Sequence, residues 1–258
     1  MLTQALSVAT KLGIADLLAD GPLTPEEIAR RVDASPDGVL RLLRALATIR
    51  GMSFWDFLAS KPDFEVEFNT AMTTFSNLVK EPVLAAYDFS PYSTIVDVAG
   101  GHGAMLAAVL QRTPAARGVL FDQPSVAPGA VDLLRAHGVE SRCTIESGSF
   151  FVSVPAGGDA YVLKNIIHDW ADAEALVILG KIREAIRPDG RLLLIEMVLP
   201  EGNSSHLGNV FDLEMMLDLG SRERTERDFR QLLAKAGFEL TRVVQTASPT
   251  CVVESKPS

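Results

Sequence analysis

The sequence predicts an α/β fold: a mostly parallel sheet with helices on both faces, preceded by a helical segment. Three observations carry this. After Pro91, strand-like runs alternate with helical ones, at Thr94 to Val98, Gly118 to Phe121, Arg142 to Ile145, Ala160 to Leu163 and Arg191 to Val198, and such alternation builds a parallel sheet. Before residue 50 the apolar spacing is helical. The tail, Phe238 to Gln245, then Ser248-Pro249, then Thr250 to Glu254, reads as an antiparallel hairpin closing a seven-stranded sheet.

Each element has a local reason. Leu2, Leu6, Ala9, Leu12 and Ile14 share one amphipathic face, which Gly21-Pro22 ends. Thr24-Pro25-Glu26-Glu27 is a helix start, with Thr24 as N-cap, Pro25 at the first helical position and Glu27 completing a capping box. Asp33 to Pro36 is a turn, and Val39 to Leu46 continue with helical spacing. Two short helices about a tight turn form a helix-turn-helix pattern. Its charge is balanced, five acids against five arginines over residues 20–50, whereas a DNA-reading helix needs a basic bias.

At residue 50 the pattern breaks. A winged helix would continue into a strand and wing, but Thr48-Ile49-Arg50 runs straight into Gly51-Met52-Ser53-Phe54-Trp55, another helical start. Either this chain lacks the wing or a stretch of sequence is absent there. The expected division is a helical, winged-helix-like segment over 1–50, connecting helices over 51–90 and the α/β domain over 91–258. A long helix over 62–88 carries Phe64, Phe68, Met72, Phe75 and Leu78.

Composition narrows the function classes. The chain has 258 residues, 47% apolar and 22% charged, as in ordinary soluble proteins. A net charge of -9 repels a phosphate backbone, so nucleic acid is not expected as a partner. Cys143 and Cys251 show no pairing or metal-ligand spacing, which fits a reducing, cytoplasmic compartment. Apolar runs such as Ala104 to Leu110 fall far short of the roughly 20 residues that span a bilayer, and Lys11 and Asp16 interrupt any signal-peptide pattern. No membrane partner is expected.

The chemistry concentrates at Thr94-Ile95-Val96-Asp97-Val98-Ala99-Gly100-Gly101-His102-Gly103. A glycine-rich turn after the first strand lets a ligand approach the backbone. The third glycine of a dinucleotide fingerprint is missing, and no Gly-Lys-Ser/Thr follows, which excludes a P-loop. Nineteen residues past Gly103, Asp122 ends the second strand, where an acid accepts from ribose hydroxyls. Asp97 before the glycines and Asp122 after them point to a nucleoside without phosphates, namely S-adenosylmethionine. Asp97 also fits a simple turn cap.

Four motifs in order, Val96 to Gly103, Phe121-Asp122-Gln123-Pro124, Leu163-Lys164-Asn165-Ile166-Ile167-His168-Asp169-Trp170 and Gly220-Ser221-Arg222-Glu223-Arg224-Thr225, together resemble the metal-independent O-methyltransferases of plant caffeate and flavonoid type and their bacterial polyketide-tailoring relatives. The resemblance implies a Rossmann-like class I methyltransferase domain behind a dimerisation domain, and hence a homodimer. It implies that Ala99, Gly100 and Gly101 hold the methionine end of S-adenosylmethionine, beside Asp97, and that Asp122 holds the ribose. Ser76 and Lys164 match further cofactor contacts. Ser149 and Phe150 stand where the family often has an acid and an apolar residue beside the adenine, so Ser149 brings a hydrogen bond without charge. Ala99 replaces the family's usual glycine, a mild change if the contact is through backbone.

The same resemblance makes His168 the general base on an aromatic hydroxyl, with Glu196 and Glu223 fixing its tautomer and stabilising the imidazolium. The residues alone leave alternatives open. A lone histidine at a sheet rim is often a hydrogen-bonded structural group, and Glu223 lies in a charged turn that reads as solvated surface. Glu196, in the apolar run Leu192 to Val198, must have a partner to be buried. Proton removal is expected to accompany in-line methyl transfer, because a phenol near pKa 10 and a histidine near 6.5 are badly matched in water. No metal is expected, Asp169 beside His168 being too small a ligand set. Phe68, Met72, Met215 and Met216 match acceptor-pocket positions, Trp170 stands in register beside the histidine, and thioethers suit a flat aromatic acceptor; ordinary core is the other reading of this stripe. Two further functions compete: a same-fold protein that binds the cofactor without methylating, in the manner of hydroxylase or decarboxylase relatives, and a helix-turn-helix regulator sensing a nucleoside.

Overall fold

The computed structural model describes residues 2–18, 21–49, 54–202 and 204–258. Its helices begin with α1 (Leu2–Lys11), α2 (Ile14–Leu17), α3 (Pro25–Arg31), α4 (Pro36–Ile49), α5 (Phe54–Ala59) and α6 (Pro62–Ala86). Then come β1 (Thr94–Val98), α7 (Ala104–Arg112), β2 (Arg117–Asp122), α8 (Ala130–Ala136), β3 (Cys143–Ser147), β4 (Ala160–Lys164), α9 (Asp172–Ala185) and β5 (Arg191–Leu199). The chain ends with α10 (Gly208–Asp218), β6 (Arg224–Thr225), α11 (Glu226–Lys235), β7 (Phe238–Gln245) and β8 (Thr250–Pro257). Two units are distinguished, Met1–Glu65 with Leu217–Leu219, and Val66–Met216 with Gly220–Ser258.

In the first unit Thr24 behaves as its sequence requires. Its hydroxyl accepts the Glu27 N–H at 3.2 Å, and the Glu27 carboxylate accepts the Thr24 N–H at 2.8 Å. Ile14, Ile28, Ala29 and Val39 form a small buried core under this arrangement. The break at residue 50 lies outside the described residues.

The second unit is built on a sheet in the order β3-β2-β1-β4-β5-β8-β7, parallel from β3 to β5 and antiparallel at β8 and β7. Side chains alternate between two buried layers. Ala160, Val162, Leu193 and Ile195 face a core with α6, α7 and α8, while Tyr161, Leu163, Leu192 and Leu194 face α9 and α11. Both faces are covered, so these strands are continuously apolar rather than alternating with polar residues.

The expected seven strands are present, and an eighth joins them. The two-residue β6 pairs in parallel with β5 at Val198–Arg224 and Leu199–Thr225. Two residues are too short to leave a periodic pattern in sequence. Its effect is large, because the register places Glu223 and Arg224 beside the end of β5.

Candidate active site

The carboxyl ends of β1, β2, β4 and β5 carry the candidate residues, the edge where parallel sheets form their ligand crevice. After β1, Ala99 adopts a left-handed conformation with φ 55°, and its N–H donates to Phe121 O at 2.7 Å. Alanine there is more than a mild change, since the left-handed region strains any residue with a Cβ by about 1–2 kcal/mol. Ala99→Gly should relieve that strain, offset by about 0.5–1 kcal/mol of added freedom in the unfolded chain. The expected net gain is roughly 0.5–1 kcal/mol in urea unfolding, and a loss of stability would contradict the strain.

Asp122 caps the turn, its Oδ2 accepting the Gly101 N–H at 2.7 Å and its Oδ1 the Gln123 N–H at 2.6 Å. Asp97 is 2% exposed, and its Oδ2 has no protein partner. Burial pushes its carboxyl up to about 7, against the nearby Lys164 charge. Burial likewise raises Asp122 and lowers Lys164. A Cβ on Gly100 would collide with the Asp97 carboxylate and with Leu120. An orphaned acid behind a cradle without side chains fits a ligand bearing hydrogen-bond donors and positive charge, as S-adenosylmethionine does.

The other cofactor candidates vary in setting. Ser76 is buried on α6 and donates to Met72 O at 2.8 Å. Ser149 is exposed, its hydroxyl accepting the Phe151 N–H at 3.3 Å. Phe150 packs edge-on to Phe151 and Trp170.

Past β4 the backbone turns sharply through Asn165, left-handed at φ 53°, into a single 3-10 turn over Ile167–Asp169. That turn presents His168. Its Nδ1 lies 2.8 Å from Glu223 Oε1 and 3.8 Å from Glu196 Oε2. Glu196 Oε1 accepts the N–H groups of Ile166 and Ile167 at 3.1 and 2.8 Å, which fixes the turn on β5. The side chains of both glutamates are fully buried and that of His168 is 12% exposed. Glu223 is therefore not the solvated turn residue its neighbours imply: pairing of β6 with β5 carries it inward. Burial alone would lower the His168 pKa, but the Glu196 charge, the Glu223 hydrogen bond and the Asp169 charge outweigh it and hold it well above its ordinary value. Burial raises Glu196.

Arg224 is the residue that sequence reading missed. It is 1% exposed, and its guanidinium donates to Ile167 O at 2.7 Å, Trp170 O at 2.9 Å and Asp172 Oδ1 at 2.8 Å. One planar fork thus holds both ends of the turn that carries His168. The only sequence signal was an arginine on each side of Glu223. His102 was missed too. Thr73 Oγ1 donates its single proton to Asn69 O at 2.9 Å, so the contact of 3.2 Å with His102 Nδ1 has the imidazole as donor. A Cβ at Gly129 would lie 2.8 Å from the His102 ring, so glycine there lets the ring sit between α6 and the turn.

Of the acceptor candidates, Phe68 and Met72 lie on α6, whose Thr73 meets that turn, and Met215 and Met216 lie on α10. α10 is tied to the Glu223 segment, where Asp212 Oδ1 accepts the Glu223 N–H at 2.9 Å and Met215 O accepts the Ser221 N–H at 3.2 Å. Met72 is 40% and Met216 56% exposed, so neither is ordinary core. The Trp170 ring lies 4.8 Å from Phe151 and 5.9 Å from Phe150.

Comparison with known proteins gives the family. Residues 37–239 match the O-methyltransferase domain, and residues 1–50 match the O-methyltransferase dimerisation domain. The chain belongs to the O-methyltransferase family. A phenazine O-methyltransferase of Lysobacter antibioticus is 36% identical over 316 residues, covering 99% of this chain and 93% of the relative. An O-demethylpuromycin-O-methyltransferase of Streptomyces alboniger is 34% identical, covering 99% and 86%. A solved O-methyltransferase from neocarzinostatin biosynthesis, in complex with S-adenosylmethionine and 2-hydroxy-5-methyl naphthoic acid, superposes with a TM-score of 0.74 at 27% identity, covering 100% and 97%.

The methyltransferase uses S-adenosylmethionine as its cofactor, and its relatives are named for transfer, which favours methylation over the cofactor-binding and regulatory alternatives. The 316 aligned positions are some 60 more than this chain can supply. Among the described residues no helix is long and apolar enough to cross a membrane.

Proposed function

We propose that this methyltransferase methylates a hydroxyl of an aromatic small molecule, with His168 facing the acceptor oxygen. The observation that carries this reading is the His168–Glu223 hydrogen bond of 2.8 Å, with Glu196 beside it, at the same sheet edge as the Asp97–Asp122 turn. When bound, S-adenosylmethionine supplies an electrophilic methyl group on a positively charged sulfur. Asp97, Asp122 and the backbone of Ala99, Gly100 and Gly101 would hold it, with Ser76, Ser149, Phe150 and Lys164 as further contacts.

Glu223 fixes Nδ1 as a donor, which directs Nε2 to the acceptor. As the oxygen gives up its proton, positive charge resides on the imidazole, and the two buried glutamates balance it without rearranging. The buried setting of all three excludes water and strengthens these interactions. Phe68, Met72, Trp170, Met215 and Met216 would receive the aromatic ring, in keeping with the naphthoic acid bound by the neocarzinostatin relative. The matched dimerisation domain supports a homodimer, and the free cysteines Cys143 and Cys251 support a cytoplasmic location.

The test is calorimetric binding of S-adenosylhomocysteine to the wild type and to Asp122→Ala. A hydrogen bond to a charged group contributes about 1.5–3 kcal/mol, so affinity should fall roughly 10- to 100-fold. Equal binding by a folded variant would remove Asp122 from the site, and no binding to the wild type would remove the reading itself.

A further inference from the structure

One hydrogen bond crosses from the cofactor turn to the helix that carries two acceptor candidates. His102 stands between Gly101 and Gly103, both left-handed at φ 59° and 80°, in the turn between β1 and α7. The backbone on either side of it is tied down. The Gly101 N–H donates to Asp122 Oδ2 at 2.7 Å, and the Gly103 N–H donates to Gly100 O at 2.9 Å. The ring is seated against Gly129, where a Cβ would come within 2.8 Å of Nε2. From that fixed base Nδ1 reaches Thr73 Oγ1 on α6, 29 positions earlier in the chain, at 3.2 Å.

α6 is the pliable partner. The hydroxyls of Thr70, Thr73, Thr74 and Ser76 each donate to the carbonyl four residues back, at 2.8 to 3.0 Å. Back-bonding of this kind weakens helices and bends them. Pro82 lies inside the same helix and withdraws a further N–H from its ladder. Over this stretch the course of α6 therefore depends on what holds it from outside. Phe68, Met72 and Ser76 lie in the same stretch.

We propose that His102 is a positioning residue that latches the acceptor stretch of α6 to the cofactor turn. S-adenosylmethionine, held at Asp122 and the glycines, then steadies through the Nδ1–H bond the helix that receives the aromatic ring. The acceptor pocket is completed once the cofactor is in place, so the two substrates bind with positive coupling, and the coupling is reciprocal. This deepens the proposed function and rests on it.

Hydrogen–deuterium exchange over residues 66–80 of the full chain, with and without saturating S-adenosylhomocysteine, reads the latch. In the wild type the ligand should slow exchange roughly three- to tenfold, the range that one neutral hydrogen bond supports. His102→Leu keeps bulk but has no donor, and Thr73→Val keeps shape but has no acceptor. Each should reduce the slowing to under about twofold, since either change removes that one bond. His102→Asn places an amide N–H where the Nδ1–H stood and should restore the wild-type response. A role in packing alone gives the opposite order, with leucine retaining the response and asparagine losing it, and that order overturns the proposal. No slowing in the wild type, or slowing that persists in the leucine and valine variants, overturns it as well. If the His102 variants do not fold, Thr73→Val decides alone. Calorimetry of S-adenosylhomocysteine on the same proteins separates the two readings. Binding by the wild type without a difference in exchange between the variants rejects the latch alone, while no binding by the wild type rejects the site assignment on which it rests.

Discussion

His168→Ala lowers methyl transfer to a phenolic acceptor by roughly 10²–10⁴-fold, the range typical for removing a positioned proton-transfer group. Affinity for S-adenosylhomocysteine changes less than about twofold. The split follows from position: His168 stands in the turn after β4 and packs against two glutamates, whereas the cofactor turn is held by Asp122 and by Ala99 bonding to Phe121. Glu223→Gln gives a smaller loss, because the amide keeps a contact with Nδ1 but removes the charge that balances the imidazolium. The measurement is single-turnover transfer of a labelled methyl group, alongside calorimetry on the same protein. Transfer within tenfold of the wild type would mean that the imidazole plays no part at the acceptor oxygen.

Arg224→Met destabilises the protein by about 3–5 kcal/mol, the sum of two charged hydrogen bonds to carbonyls left without donors. Asp172 contributes little to that figure. Its side chain is 43% exposed and water can solvate it once the guanidinium is gone. The buried carbonyl of Ile167 and the half-buried one of Trp170 lose their donor, since methionine fills the space and donates nothing. Arg224→Lys should recover only part of the loss, because an ammonium cannot span both carbonyls as a planar fork does. Urea unfolding reads the effect, and a loss under about 1 kcal/mol would show that the turn is held by something else. Transfer should fall with stability in these variants, because the same fork fixes the turn that carries His168.

The sequence by itself determined the periodic and locally bonded parts. β1 and β7 fall on the predicted residues, and the Thr24–Glu27 capping box forms as written. These features depend on neighbours within a few positions, which is why pattern and cap chemistry suffice to place them. The candidate residues were also named in advance, but by motif rather than by environment. Only the tertiary structure decided what surrounds them. Glu223 looks solvent-facing in its charged turn and becomes fully buried because two residues of β6 pair with β5. Its hydrogen bond to His168 joins positions 55 apart, and Arg224 reaches back over a similar span to Ile167 and Trp170. The left-handed backbone at Ala99 was equally hidden, since alanine gives no sign of a conformation that the packing imposes on it. Desolvation and proton affinity belong to the assembled neighbourhood: a carboxylate's charge state follows from what is buried against it, and those groups arrive from three strands far apart in the chain.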